Sequence, residues 1–525
     1  MTSNETGRSA PVRAPLTRRD ALGMGAMVAA TALGGRSAHG ASGKLTWGIH
    51  VSIAPSWLDP AETNGLVTPF MLLYAVHDGV AKAMPDQLYA PCLASSWQAS
   101  EDGLTYEFAL RDGATFHNGE PVTAEDVRFS FQRYRGTDHR PLHDRVDSID
   151  TPDPRHIRFR LKSPWPDFLA FYTQSTGAGW VVPRKYVEKV GEDAFKLSPI
   201  GAGPYKFVSY RPGVELVLEA FDGYWRKKPA VQQLVMKVIP DEATRLAALK
   251  RGEIDIAYSV RGELAEELRQ SPGLALKPVV IHATFYLYFP EQFDPASPWH
   301  DPRVRLAASL ALDRPAINQA LTLGYSHLTG ASIFPEGFEF YWQPPAPKYD
   351  PAQAKQLLAA AGYPNGFNAG SFFCDSSYSN LAEAVSNNLG EIGIRAQLRP
   401  IERAAFIKGY AEKSFKNIIM SGTGSFGNVA TRLASLVVKG GAFVYGSYPD
   451  IDELFPQQAA ELNHDKRAAV LRQMQQMVHE RTVFVPIWQL GFINGIGPRV
   501  AESSFGKISG YPYTAPYDEL AIKGA

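Results

Sequence analysis

Glu101-Asp102-Gly103-Leu104-Thr105-Tyr106, then Leu110-Arg111-Asp112-Gly113, then Phe116-His117-Asn118-Gly119-Glu120-Pro121-Val122-Thr123-Ala124-Glu125-Asp126-Val127 is the stretch that decides the fold. Asp102-Gly103 reads as a tight hairpin turn, and Arg111-Asp112-Gly113 as a second one. The apolar residues from Leu104 to Leu110 alternate as in a strand with one buried face. Thr123-Ala124-Glu125-Asp126 reads as a helix start, with Thr123 as N-cap and Asp126 at the third position. These residues build scaffold, not a site. His117 is the one side chain here that tempts a functional reading, and a structural hydrogen bond is the better expectation.

Outward from this stretch, the same grammar covers the chain. Ile157–Leu161, Leu216–Glu219, Leu234–Ile239 and Phe285–Phe289 read as strands. Asp241–Arg251 reads as a helix capped by Asp241 and stopped by Gly252, with the strand Ile254–Tyr258 directly after it. Asp350–Ala361 is a helix with Pro351 in its first turn and Gly362 behind it. Leu381–Ile392 and Lys466–Glu480 have apolar residues at helical spacing. Alternating helices and strands in the second half argue α/β lobes with mixed sheets.

The 525 residues exceed one core and suit two or three domains. Lys+Arg and Asp+Glu number 53 each, so no net charge attracts nucleic acid or anionic lipid. The 9 Trp, 23 Tyr and 28 Phe mostly build core, and a minority lining a cleft would suit a small-molecule binder. Cys92 and Cys374 form no CxxC pair, which excludes a zinc or redox motif of that kind. Two separate buried thiols are expected, and a disulfide between them stays open.

Residues 1–40 read as an export signal. Arg8, Arg13, Arg18 and Arg19 precede an apolar stretch, Ala21 to Leu33, which is far short of the ~20 residues of a membrane-spanning helix. Ala38 and Gly40 offer small residues for cleavage after Gly40. Thr17-Arg18-Arg19-Asp20-Ala21-Leu22 resembles a twin-arginine signal, with Ala21 where an aromatic is usual. No Cys follows the apolar stretch, so no lipid anchor is expected. The expected product is a soluble monomer in the periplasm.

The ordered segments resemble a known family. Trp57-Leu58-Asp59-Pro60-Ala61, Leu93-Ala94-Ser95-Ser96-Trp97 and the opening stretch are followed by Gly201-Ala202-Gly203-Pro204-Tyr205-Lys206-Phe207 and Tyr224-Trp225. Ile239–Arg245, Arg251–Asp255, Asp301–Arg305, Ala311–Arg314, Tyr349-Asp350-Pro351 and Leu358–Gly362 continue the match. Together they resemble the extracellular solute-binding proteins of family 5, which serve dipeptide, oligopeptide, nickel and related ABC importers. The resemblance implies a two-lobed α/β periplasmic binding protein of the cluster C type, with mixed sheets, a hinge and an additional inserted domain. It implies a discontinuous first lobe of 41–75, 203–285 and 490–525, an inserted domain of 76–202, and a third lobe of 286–489. The implied partners are a small-molecule solute and a membrane permease with its ATPase. No cofactor, metal, nucleic acid or catalytic activity is implied.

One departure bears on the ligand. Peptide-binding members carry a Trp and an Asp in the third lobe, and that Asp holds the ligand's amino group. The corresponding stretch here is Ile418–Asn428, with neither. A buried ammonium without a carboxylate is costly, which argues for a neutral or anionic ligand. A second departure is Phe289-Pro290, where the family usually has an Asn. By correspondence, the candidate ligand-binding residues are Trp57 and Asn64 from the first lobe, Tyr378, Ser425, Phe426 and Asn428 from the other, and Trp488 and Gln489 near the return crossing.

Other motifs carry less. Gly422-Thr423-Gly424-Ser425-Phe426-Gly427-Asn428-Val429 matches G-x-G-x-x-G, but no βαβ context with a suitable acid surrounds it. A flexible glycine loop near a ligand is the better reading. His139 and His143 are four apart, and Pro141 between them is expected to prevent a helix from aligning them. A cleft hydrolase on the same scaffold, or a sensor, are the alternatives to transport.

Overall fold

The computed structural model describes residues 43–63 and 67–524. The export signal of residues 1–40 and the candidate Asn64 lie outside the described residues. The ten strands of the central sheet are β1 (Lys44–Ile49), β2 (Tyr205–Arg211), β3 (Glu215–Ala220), β4 (Gln233–Val238), β5 (Ile256–Ala257), β6 (Ala275–Tyr288), β7 (Phe367–Asp375), β8 (Ile394–Ile401), β9 (Ile418–Gly422) and β10 (Phe484–Ile496). Their lateral order is β2-β3-β4-β1-β5-β10-β6-β9-β7-β8. β1 lies parallel between β4 and β5, and all its residues after Lys44 are buried. An apolar run of this kind suits a strand covered on both faces.

β6 and β10, 14 and 13 residues long, are the middle of this sheet and join its two halves. They pair antiparallel, with a break in register between Val280 and Thr284. There His282 donates its backbone N–H to Gly510 instead. The expected strand at Phe285–Phe289 is only the end of β6, which stops at Tyr288 before the 3-10 turn Pro290–Phe293. Its first half carries Pro278, which argues against a strand interior when only the sequence is read. β5 is shorter than expected. Its flank Asp255 spends its carboxylate on the Thr46 N–H (2.8 Å), and the Tyr258 carbonyl accepts from Arg245.

A second sheet of four antiparallel strands has the order Ala94–Ala99, Thr105–Leu110, His156–Leu161, Val146–Asp153. Tyr106, Phe108 and Leu110 all point inward, as the alternation requires. The hairpin at Asp102-Gly103 forms as expected: Gly103 has φ +67°, and the Asp102 carboxylate accepts from the Leu104 N–H. Thr123 opens the helix Ala124–Gln132, where the Asp126 carboxylate accepts from the Thr123 N–H (3.0 Å). His117 bridges backbone, contacting the Gly203 carbonyl (3.0 Å) and accepting from the Gly201 N–H (3.2 Å).

The core of this second sheet is continuous with the other half of the molecule. Phe108, Phe159 and Tyr172 share one cluster with Leu433, Phe443, Leu471 and Met474. The other large cluster also spans both halves, joining Trp47, the helix Phe70–Val76 and the C-terminal Tyr511, Tyr513 and Tyr517 to Trp299, Phe372 and Leu381. Cys92 and Cys374 are separate buried thiols. The expectation about Pro141 fails: the helix His139–Arg145 forms and sets the two imidazoles 4.2 Å apart. Pro141 sits in the first turn, where its missing N–H has no intrahelical acceptor to lose.

Candidate functional site

The two halves face each other across a junction walled by aromatic rings. β1 and the turn after it supply Trp47 and His50, and Tyr258 follows β5. Tyr258 lies 4.6 Å from His50 and 5.0 Å from Tyr513 between ring centroids, and Trp47 meets Tyr258 edge-on at 6.1 Å. From the other half, Phe426 reaches over to stack on Tyr511 at 5.3 Å and approaches Phe70 at 6.1 Å. Tyr378 packs on Phe285 at 4.7 Å and sits 5.2 Å below the Arg261 guanidinium.

Buried polar atoms without a hydrogen-bond partner accompany these rings: Trp47 Nε1, His50 Nδ1, Tyr511 OH, Ser425 Oγ and Arg403 Nε. Buried polar groups are ordinarily satisfied, so such a set asks for an absent partner. Arg403 stands at the first position of the helix Arg403–Ala411. Its guanidinium donates to Asp375 (2.7 Å) and to the Thr68 hydroxyl (3.0 Å), which also accepts from the Tyr513 hydroxyl (3.1 Å). Burial works against the charge on Arg403, but the Asp375 carboxylate outweighs it and the group stays protonated. His50 is held well below the usual imidazole range by burial, then by Arg245, Arg403 and Arg261, so it is neutral.

A cavity of about 470 Å³ opens between residues 56, 57, 62, 68 and 69 on one side and the segment 403–412 on the other, with Trp57, Thr68 and Arg403 on its walls. A larger groove of about 610 Å³ runs between 136–171 and 411–455, lined by Arg140, Arg145, Lys413 and Lys439. None of its lining residues has a buried unpartnered polar atom among the described residues, whereas Arg403, on the wall of the smaller cavity, has one in its Nε.

The sequence candidates divide accordingly. Trp57, Ser425, Phe426 and Tyr378 all come to the junction or its cavity. Trp488 and Gln489 lie on β10 in register with Phe285 and Thr284, fully within the sheet. The Trp488 Nε1 and Gln489 Oε1 atoms lack partners there, while the Gln489 amide donates to the Ile281 carbonyl (3.0 Å). Asn428 has another occupation. It caps the helix Val429–Leu436 by accepting from the Thr431 N–H, and its amide donates to Asp167 (2.7 Å). Arg432, one turn into that helix, donates to the Gly424 and Phe426 carbonyls and pins the glycine loop. Trp47, His50, Arg403, Tyr511 and Tyr513 were not among the candidates.

Residues 89–443 match the profile of the bacterial extracellular solute-binding proteins, family 5 Middle. The chain belongs to this family. Heme-binding protein A of Haemophilus influenzae is 27% identical over 458 residues, covering 79% of this chain and 82% of that one. The dipeptide-binding protein of Escherichia coli is 26% identical over 444 residues, 76% of this chain and 82% of its own. Among solved structures, the periplasmic binding protein AgaA of A. tumefaciens R10, in complex with agropinic acid, superposes with a TM-score of 0.80. That match covers 92% of this chain and 99% of AgaA at 24% identity. The two-lobed fold expected from the sequence is therefore the fold observed. No described helix is long and apolar enough to cross a membrane.

Proposed function

We propose that this family 5 protein is the exported, soluble substrate-binding component of an ABC importer. It captures a small solute by closure of its two lobes and delivers it to a membrane permease and its ATPase. The observation that carries this reading is the junction itself. Aromatic walls and unpartnered buried polar atoms from both halves accompany the crossing of β6 and β10 between them. Bending at that crossing, with the register break at Val280–Thr284 as its weak point, would let the halves part and close. The reading takes the lobes as 41–75, 203–285 and 490–525 against 286–489, with 76–202 inserted.

The protein acts as a periplasmic monomer, exported through its twin-arginine leader. It catalyses nothing: the junction carboxylates Asp375 and Glu242 are each paired with an arginine, which makes them counter-ions and not an acid/base pair. The ligand is not a free-amine peptide, because no unpaired carboxylate from the loop 418–428 awaits an ammonium. Native mass spectrometry of the protein purified without denaturation tests this function, together with small-angle scattering before and after ligand removal. A co-purified small molecule whose loss expands the particle is the expected result. A particle of unchanged size that carries nothing and binds nothing would refute it.

A further inference from the structure

We infer that the groove of about 610 Å³ is a second binding site, separate from the junction, which takes a flat aromatic anion carrying two or more negative charges. It shares only Ala411 with the walls of the smaller cavity, so the inference stands apart from the reading of the junction as the solute site.

Charge comes first. Arg140, Arg145, Lys413 and Lys439 line the groove, and among the described residues none of the four has an ion pair. Two acids line it with them, Asp138 and Asp144. Burial pushes the Asp138 carboxyl up to about 7, so below that pH it holds its proton and cancels little charge. The acids just outside are engaged already: Asp167 with Arg467, Glu412 with Lys408, and Asp452 with the Ser447 hydroxyl and the Lys439 backbone N–H. Four cations less two acids leave a surplus of two positive charges, or three when Asp138 is protonated. Arg140 and Arg145 stand on the helix His139–Arg145, and Lys413 and Lys439 on the facing segment. Like charges on facing walls repel, and a multivalent anion between them removes that cost.

Shape comes second. Trp165, Phe171 and Phe455 give the groove an apolar floor, with Trp165 and Phe171 at 4.9 Å between ring centroids. The Arg145 guanidinium lies 4.7 Å over the Trp165 ring, so an aromatic face holds it in place of a carboxylate. Its planar N–H groups have no printed acceptor of their own to give up when an anion arrives, and such a fork suits carboxylate or phosphate oxygens. Lys413 follows the helix Arg403–Ala411 with φ +59°, a position where glycine costs less. That backbone is strained, and strain of this kind collects where a side chain has work to do. An apolar floor under a ring of unpaired cations fits an aromatic polyanion better than a small inorganic one.

The test titrates the full chain with trimesate, a benzene ring bearing three carboxylates, by isothermal calorimetry at about 0.15 M ionic strength. Its neutral triamide and citrate are titrated beside it. Trimesate is expected to bind, with the triamide weaker by about 10-fold or more, since several partly screened ion pairs are lost together. Citrate keeps the charge but lacks the ring, and should bind about 3-fold more weakly than trimesate. K413Q combined with K439Q removes two exposed cations and leaves the core untouched. It should melt with the parent and weaken trimesate about 5-fold. No binding of trimesate, a triamide that binds as well, citrate that binds as tightly, or an undiminished affinity in the double variant would each overturn the inference. None of these outcomes bears on capture of a solute at the junction, which mass spectrometry and scattering test separately.

Discussion

Asp167 and Arg403 sit at two junctions between the same halves of the molecule, and their surroundings differ. Asp167 lies between Arg467 (2.5 Å) and the Asn428 amide (2.7 Å). Around it the second core runs without interruption from Phe108 to Leu471. Both contacts keep buried atoms without a partner, Arg467 Nε at the first and Arg403 Nε at the second, but Arg403 also borders a cavity of about 470 Å³. The first contact is filled with protein. The second leaves room for something else. A binding protein needs both, because closure around a solute has to be nearly balanced without it and favoured with it.

Removing Asp167 should break the filled junction most severely. D167A strands the Arg467 charge in the core and is expected to cost about 3–5 kcal/mol in urea unfolding. A loss under about 1 kcal/mol would erase the difference between the junctions. Next comes Asp138, buried in the same region with φ +60° and facing Arg432. Burial pushes its carboxyl up from the ordinary 3.8 to about 7. The folded state therefore holds a proton that the unfolded chain has released. On this group's account, stability is full below pH 3.8 and falls as pH rises towards 7. D138N, which tolerates the same backbone, should be more stable than the parent at pH 8 by on the order of 3 kcal/mol. The two should converge near pH 4, and parallel curves across that range would contradict the assignment.

At the open junction the effects should be smaller. F426L removes the ring that stacks on Tyr511 and should cost about 1 kcal/mol in denaturant unfolding. T68V removes an acceptor shared by Arg403 and Tyr513. Since the cavity admits water, its cost should be only about 0.5 kcal/mol. A loss from T68V as large as that from D167A would mean the Arg403 junction is as tightly built as the other.

The fold was legible because its punctuation is local. Gly103, Gly113, Gly252 and Gly362 all take positive φ where the sequence placed turns and helix ends. Asp241 and Asp350 cap the helices they were expected to cap. The site was only half legible, because it is made by residues distant in sequence. Trp47 reads as an ordinary core residue of a buried strand, and Tyr511 and Tyr513 stand on an irregular segment with no periodicity. Asn428 looked like a ligand amide but stands where a helix needs a cap, and a cap consumes the side chain. Arg403 did leave a signal. A cation at the first position of a helix opposes the helix dipole, so it needs a local anion to hold it there. Asp375 is that anion, and it comes from the end of β7, 28 residues earlier.

An open sheet of ten strands necessarily ends in two free edges, β2 and β8. β8 reads Ile394-Arg395-Ala396-Gln397-Leu398-Arg399-Pro400-Ile401, with Arg395, Gln397, Arg399 and Pro400 turned to solvent. On β2, Arg211 is likewise exposed, and the half-buried Lys206 pairs with Glu219. Charge and proline on an edge deter a second chain from adding itself as an eleventh strand. The molecule can thus stay concentrated in solution without polymerising along its own backbone.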